Sequence, residues 1–400
     1  GWDVTTYTIT ALRAASPTAA YVYITDSGKQ GVFAYNASNT TGTDNTGTIL
    51  VTSNSRRYER VITDKTVLPT WFGATGDGTT NDNTAVVACF AVADGTTINT
   101  VFFPAGTYKI NVDAVTIQSG VKVVGDNGAK LLASTTPTSQ ANLLTTTGNN
   151  VTVQNLEFTA STYHVRGFKA TGGTNIRFLD CKATTAALVE YVSCTAGEIR
   201  GFYAKTVQSF GSIAGQTSAW SCVRVQYSNY VNITNGYLDG YGHGIQFDGG
   251  DPNNYLGSPN VPVPITVARG GKYLTISHVK ALNGNGGGIW GNFYDFVLIE
   301  HCEIENFQDV GIDFEGCLKS KASFCIIKNC VYGNMGCFYY NGQIEFDNIT
   351  SIVTSSTYHH LILADNVTSV DNGSQYLKFT KCTFQGEGHI SIIGDVAQIF

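Results

Sequence analysis

Residues 178–183 read FLDCKA, 276–281 read ISHVKA and 299–304 read IEHCEI. An apolar residue opens each phrase, a small or apolar one takes the fourth place and another the sixth, with variable residues between. The phrase recurs as VQNLEF at 153, IRGFYA at 199, ITNGYL at 233, IKNCVY at 327, FDNITS at 346 and FTKCTF at 379. Its spacing averages about 28 residues, inside the window of solenoid repeats. Alternation that changes phase at a two-residue corner is what a strand bending into the next strand produces. No amphipathic helix of useful length separates the phrases. The rungs are therefore expected to stack as a right-handed parallel β-helix, each coil burying its inward residues against the coils above and below. Cys181, Cys302, Cys330 and Cys382 would then share one inward column of small packed thiols.

Composition agrees. Glycine is high at 44, methionine is a single residue, and only 14% of the 400 residues are charged. Thr, Asn, Val, Ile and aromatics are plentiful, which suits strands better than helices. A formal net charge of −6 without any basic run argues against nucleic acid or an anionic membrane as partner, and no apolar window is long enough for a spanning helix. Met335 is the sole methionine, so Gly1 is not expected to be a natural start. The ten cysteines contain no CxxC, and His301 beside Cys302 has no second ligand pair at zinc spacing. Neither metal nor cofactor is expected.

The open end of a rung stack must be covered. NTAVVACFAVAD at 83–94, with apolar positions 86, 87, 90 and 92, is expected to be a capping helix, followed by a first strand VFFPAGTYKI at 101–110. Residues 1–70, where YVYITDS, GVFAYN and TILVTS alternate with polar turns, are expected to form a small β domain ending in a linker around Pro69. The expected organisation is thus 1–70, an entry segment at 71–110 and the β-helix at 111–400.

The stretch from Trp71 to Ile110 resembles the entry segment of the pectate-lyase-like β-helix superfamily, as found in bacteriophage tailspike depolymerases. The matching pieces are Gly73-Ala74, the Gly76-Asp77-Gly78 turn, Asn81 to Thr84 opening the helix, and Phe103-Pro104-Ala105-Gly106-Thr107-Tyr108. GVKVVGDNGAKLL at 120–132 is similar to the second coil of those proteins, and residues 28–61 resemble the small domain that precedes it. The resemblance implies a homotrimer with parallel axes, attachment to a phage tail or baseplate, and a capsular, exopolysaccharide or O-antigen substrate. The family also has head-binding and trimerising domains, neither recognisable between Gly1 and Phe400. Its members include hydrolases, lyases, epimerases and adhesins, so the fold does not choose the reaction.

Four segments share a small residue, an apolar residue and an alternating strand: HGIQFDGG at 243, GGIWGNF at 287, VGIDFEGC at 310 and GCFYYNGQ at 336. Stacked, they would give one outward column of Gln246, Trp290, Asp313 and Tyr339 and a second of Asp248, Asn292, Glu315 and Asn341, with His243 and Tyr340 beside them. Aromatic faces for sugar rings, amides for hydroxyls and carboxylates for cleavage are what an oligosaccharide site requires. Glu315, with the longer reach, is expected to be the acid and Asp313 the base or nucleophile. Asp248, about 9.6 Å away by rung spacing, is the alternative base. A long insertion at 250–272 interrupts the coil beside it. A lyase would instead need a base and a cation, for which His243, Tyr339, Arg269, His278 and Lys280 are available. A glycan-binding fibre that cuts nothing would keep the aromatic column, and outward acids on a β-helix are commonly just solvated.

Overall fold

A computed structural model describes residues 4–162, 164–206, 221–250, 268–339, 341–364 and 376–392. Parallel strands wind through three faces. One face is an eleven-stranded sheet, and the other two are continuous around their shared corner as a 22-stranded sheet. Each rung pairs in register with the next, so inward side chains form columns. Val153, Phe178, Ile199, Ile233, Ile276, Ile299, Ala322, Phe346 and Phe379 stand one above another. They are the opening residues of the repeated phrases, with one exception. At the seventh rung the true phrase begins at Ala322, not at Ile327.

The same slip corrects the cysteine column. Cys325 takes the place expected of Cys330, and its carbonyl accepts from Thr350 N while Cys302 O accepts from Ile326 N. Cys330 is buried a strand later, its N–H held by Asn334 Oδ1 at 3.0 Å. All ten cysteines are unbridged, and burial pushes the Cys181 and Cys317 thiols up to about 12. Such thiols pack and do not react. Elsewhere in the core Phe178 stacks between Phe158 and Phe168, with centroids 5.9 and 6.0 Å away.

The corners depend on left-handed backbone. Asn150, Asn175, Ala196, Tyr230, Tyr273, Phe296, Lys319 and Gln343 occupy equivalent places on successive rungs, with φ between 50° and 58°. One residue in that conformation redirects the strand.

The entry segment follows from its own residues. The helix spans Asn83–Val92 and buries Ala85, Val86, Cys89 and Phe90, whereas Val87 is exposed: a helix of 3.6 residues per turn puts 85, 86, 89 and 90 on one side. Its flanking Asp82 is buried and accepts from Thr75 N, Thr75 Oγ1 and Gly76 N, pinning the preceding turn. The expected single strand at 101–110 is two, Thr100–Phe103 and Gly106–Ile110, broken by Pro104, which has no N–H for a ladder. Ahead of it, Thr66–Val67 already pairs with Thr100 and Val101.

Residues 5–60 form a five-stranded sheet with the short helix Ile9–Ala14 and a core of Ile9, Leu12, Val22, Ile24, Phe33, Leu50 and Tyr58. Arg60 crosses to the entry segment, its guanidinium 4.6 Å from the Phe33 ring centroid and 4.1 Å from that of Trp71. No helix among the described residues is long and apolar enough to cross a membrane.

Candidate active site on the eleven-stranded sheet

The outward residues of this sheet also align. Ser221–Gln226, His243–Asp248, Ile289–Asn292, Val310–Glu315 and Gly333–Phe338 are consecutive strands. Their pairing puts Arg224, Gln246, Trp290 and Asp313 in one column and Gln226, Asp248, Asn292 and Glu315 in the next. On the following rung the expected alignment fails. Gly336 stands over Asp313 and Phe338 over Glu315, three residues ahead of the expected Tyr339 and Asn341.

Tyr339 occupies the corner with φ 57° and packs against the apolar cluster of Val310, Phe338 and Ile362. Asn341 is fully buried: its Nδ2 donates to Phe314 O at 2.7 Å and Phe338 O at 2.9 Å, and its Oδ1 accepts from Cys317 N at 2.8 Å. It ties a corner together and is not available to a ligand. Tyr340 and residues 251–267 of the insertion lie outside the described residues.

The columns are sheltered, not solvated. Gln246, Asn292 and Asp313 are 6%, 8% and 5% exposed, and Trp290 and Glu315 are half-buried. Gln246 Oε1 accepts from Ser221 Oγ at 2.6 Å. Asp248 accepts from Arg224 Nη2 at 3.0 Å, Gln226 Nε2 at 3.1 Å and Gly250 N at 2.7 Å. This pairing makes it a poor free base, so the alternative role expected for it is not supported by its surroundings.

Arg224 continues the network by donating to Glu190 at 2.9 Å, which also binds Arg166 at 2.6 Å and Lys169 at 3.3 Å. Burial raises the Glu190 carboxyl, but Arg166, Lys169 and Arg224 outweigh it and hold the group at about 2. The sequence signal for this network was a charge at the outward place of two apolar strands, Glu190 in ALVEYV and Arg224 in SCVRVQ.

Asp313 is in the opposite situation. Burial, the negative charges of Glu315 and Asp309 and a hydrogen bond shared with Glu315 push its carboxyl well above the usual carboxylate range. Of the two carboxyls, the buried Asp313 is therefore the one whose surroundings favour the protonated form, whereas side-chain length alone pointed to Glu315 as the acid. Burial raises Asp309 as well. Gly336 lets its neighbours pack close over Asp313; a Cβ there would come within 3.1 Å of Asp313 Oδ1 and 2.8 Å of the Phe338 ring.

Three neighbouring polar atoms, Trp290 Nε1, Asn292 Oδ1 and Asp313 Oδ1, are buried without a hydrogen-bond partner among the described residues. Buried groups of this kind are rare because each costs roughly 1–3 kcal/mol. Below them the His243 ring lies 5.0 Å from that of Trp290, and its Nδ1 accepts from Gly287 N at 2.9 Å. Burial lowers His243 to about 4, so it is neutral at pH 7. The Arg269 Nε donates to Gly316 O at 2.9 Å near this corner. His278 and Lys280 are on the 22-stranded sheet, where His278 stacks on His301 and Lys280 pairs with Glu303 at 2.9 Å. The residues considered for a lyase are thus divided between faces.

Residues 5–63 match the model of the phage tail protein small four-stranded β-sheet domain. No curated protein sequence matches the chain. Among solved structures, the tailspike protein of Acinetobacter baumannii phage AM24 is similar over 98% of this chain and 64% of its own length, so the chain spans less than two thirds of it, with 14% identity and a TM-score of 0.58. The A-module of a mannuronan C-5 epimerase from Azotobacter vinelandii is similar over 83% of this chain and 97% of its own, with 12% identity and a TM-score of 0.57. A family 28 exopolygalacturonase from Yersinia enterocolitica is similar over 86% and 82%, with 12% identity and a TM-score of 0.55. At such identities the likeness is one of fold. Residues 5–63 thus match a phage tail domain, and the parallel β-helix that follows has a fold also found in tailspikes.

Proposed function

We propose that the protein binds a bacterial surface polysaccharide and depolymerises it by hydrolysing glycosidic bonds, with Asp313 as proton donor and Glu315 as its ionised partner. The observation that supports this reading is the group of three buried polar atoms, Trp290 Nε1, Asn292 Oδ1 and Asp313 Oδ1, without partners among the described residues, one of them on a carboxyl whose burial raises it. A sugar on the Trp290 ring would supply an acceptor for the indole N–H and hydroxyl donors for Asn292 Oδ1. In the free protein the Glu315 carboxyl is in hydrogen-bonding reach of Asp313 and raises it. Binding would offer the Asp313 O–H a glycosidic oxygen, and Glu315 would then act on water or on the anomeric carbon. The protein would work as a homotrimer with parallel axes.

Elimination is the second reading, because His243 is neutral and beside the platform. Its Nδ1 lone pair is already engaged by Gly287 N–H, however, so Nε2 carries the hydrogen and the ring is a donor. That favours hydrolysis.

The test is incubation with a panel of capsular polysaccharides and mass spectrometry of the fragments. Hydrolysis adds one water per cut, whereas elimination leaves an unsaturated uronate and no added water. Asp313→Asn and Glu315→Gln should each abolish cleavage while the fold is retained. Folded variants that still cut would overturn the site, and a wild type that binds glycan without cutting it would leave a receptor-binding fibre.

A further inference from the structure

One corner column carries side chains that the Asp313 face does not use. Tyr230, Tyr273 and Phe296 stack with centroid separations of 4.7 and 4.8 Å and interplanar angles of 12° and 10°. Lys319 Nζ closes the far end, 5.1 Å from the Phe296 centroid. At the near end Tyr230 is 56% exposed, the largest value among the exposed large apolar side chains. Aromatic residues with positive φ are uncommon, and these three in succession stand exposed on the surface.

Below Tyr230 the column changes character. The next residue is Ala196, exposed and too small to fill its rung, and the one after is Asn175. Asn175 Nδ2 donates to Asn150 Oδ1 at 2.9 Å, and no described residue donates to Asn175 Oδ1. Two rungs separate the Tyr230 ring from the Asn175 amide, about 9.6 Å. A flat ring lying in van der Waals contact with both needs about 8 Å. Exposed Thr174 and Thr195 flank the opening with hydroxyls. The charges beside it are matched to each other, Arg177 and Arg200 both binding Glu198, at 2.8 and 3.0 Å.

We propose that this slot, with Tyr230 as roof, Ala196 as floor and Asn175 as the far wall, binds one uncharged pyranose unit of a glycan. The apolar C–H face of the sugar lies on Tyr230, and its hydroxyls reach Asn175 Oδ1 and the two threonines. The site is around the corner from Asp313 and independent of any reaction there. It would hold a polysaccharide chain whether or not that chain is being cut.

The test is saturation-transfer-difference NMR on the full chain with methyl β-D-glucopyranoside, methyl β-D-galactopyranoside, methyl α-D-mannopyranoside and methyl α-L-rhamnopyranoside. At least one should receive saturation, strongest at the protons of one ring face, and the signal should persist in the Asp313→Asn/Glu315→Gln double variant. Ala196→Tyr extends the ladder into the slot at a φ of 56° that its neighbour Tyr230 already adopts, so the fold is retained. Both Ala196→Tyr and Tyr230→Ala should weaken binding roughly tenfold, the loss of one anchoring contact. An unchanged signal in Ala196→Tyr, a signal lost in the Asp313/Glu315 double variant, or no transfer to any of the four glycosides would each overturn the proposal.

Discussion

Replacing Glu190 by glutamine keeps the shape of the side chain and removes the one charge that balances Arg166. Arg166 and Glu190 are each 1% exposed and in direct contact, with Lys169 and Arg224 close by. Burial lowers Arg166 even with Glu190 present, so the pair as a whole adds little to folding, yet breaking it strands a buried cation. Such breakage costs about 3–5 kcal/mol. An unfolding entropy of about 2.1 cal/mol/K per residue gives about 0.8 kcal/mol/K for this chain, so Glu190→Gln should lower the melting temperature by about 4–6 °C at pH 7 if the solenoid unfolds as a unit.

The pH dependence provides an independent check. The Glu190 carboxyl falls from its ordinary 4.5 to about 2, worth about 3 kcal/mol. Because the folded value lies below the unfolded one, this contribution is complete above about pH 4.5 and is lost as the pH falls through about 2. The variant has nothing to titrate at this position, so the difference between the two proteins should narrow from pH 6 to pH 2.5. Calorimetric melting of both at several pH values measures it. A difference under about 1 °C at pH 7, or one that does not change with acid, would refute the buried network as described.

Asp313 should titrate in the opposite sense. Its folded pKa lies above the ordinary 3.8, so its contribution to stability is complete below that value and is lost as the pH rises through the raised one. Asp313→Asn should therefore gain on wild type in melting temperature from pH 4 to pH 8, and wild-type cleavage should fall on the alkaline side as the donor loses its proton. At the corner, Asn341→Ala leaves Cys317 N–H and the Phe314 and Phe338 carbonyls without their partner, at a cost of about 2–4 kcal/mol. Hydrogen exchange should quicken at the Cys317 amide while KM for the glycan is unchanged.

The inward columns were readable because packing admits few residues there: eight of nine repeated phrases stack as their spacing implies. The failures come from places where two readings satisfy the same rule. SFCIIKNC offers Cys325 and Cys330 as equally small buried thiols, and only pairing selects the first. GCFYYNGQ looks like its neighbours, but Met335 and Cys337 are the inward pair, so the outward place falls on Gly336 and not on Tyr339. A break at Pro104 was legible from its missing N–H. Side-chain length suggested Glu315 as the acid, whereas burial raises Asp313, and burial depends on what covers the outer face. Arg224 binding both Glu190 and Asp248 required knowing that three strands separated by up to 58 positions, from Glu190 to Asp248, are consecutive in the sheet.

The left-handed corner has a consequence for how such a surface can change. One column runs through asparagine, alanine, tyrosine, phenylalanine, lysine and glutamine with φ staying between 50° and 58°. Chain direction there is set by backbone and by the buried columns, so the outer side chain is not tied to the architecture. Each rung is a replaceable letter about 4.8 Å from the next. A binding surface built this way could be rewritten one letter at a time, without refolding the page.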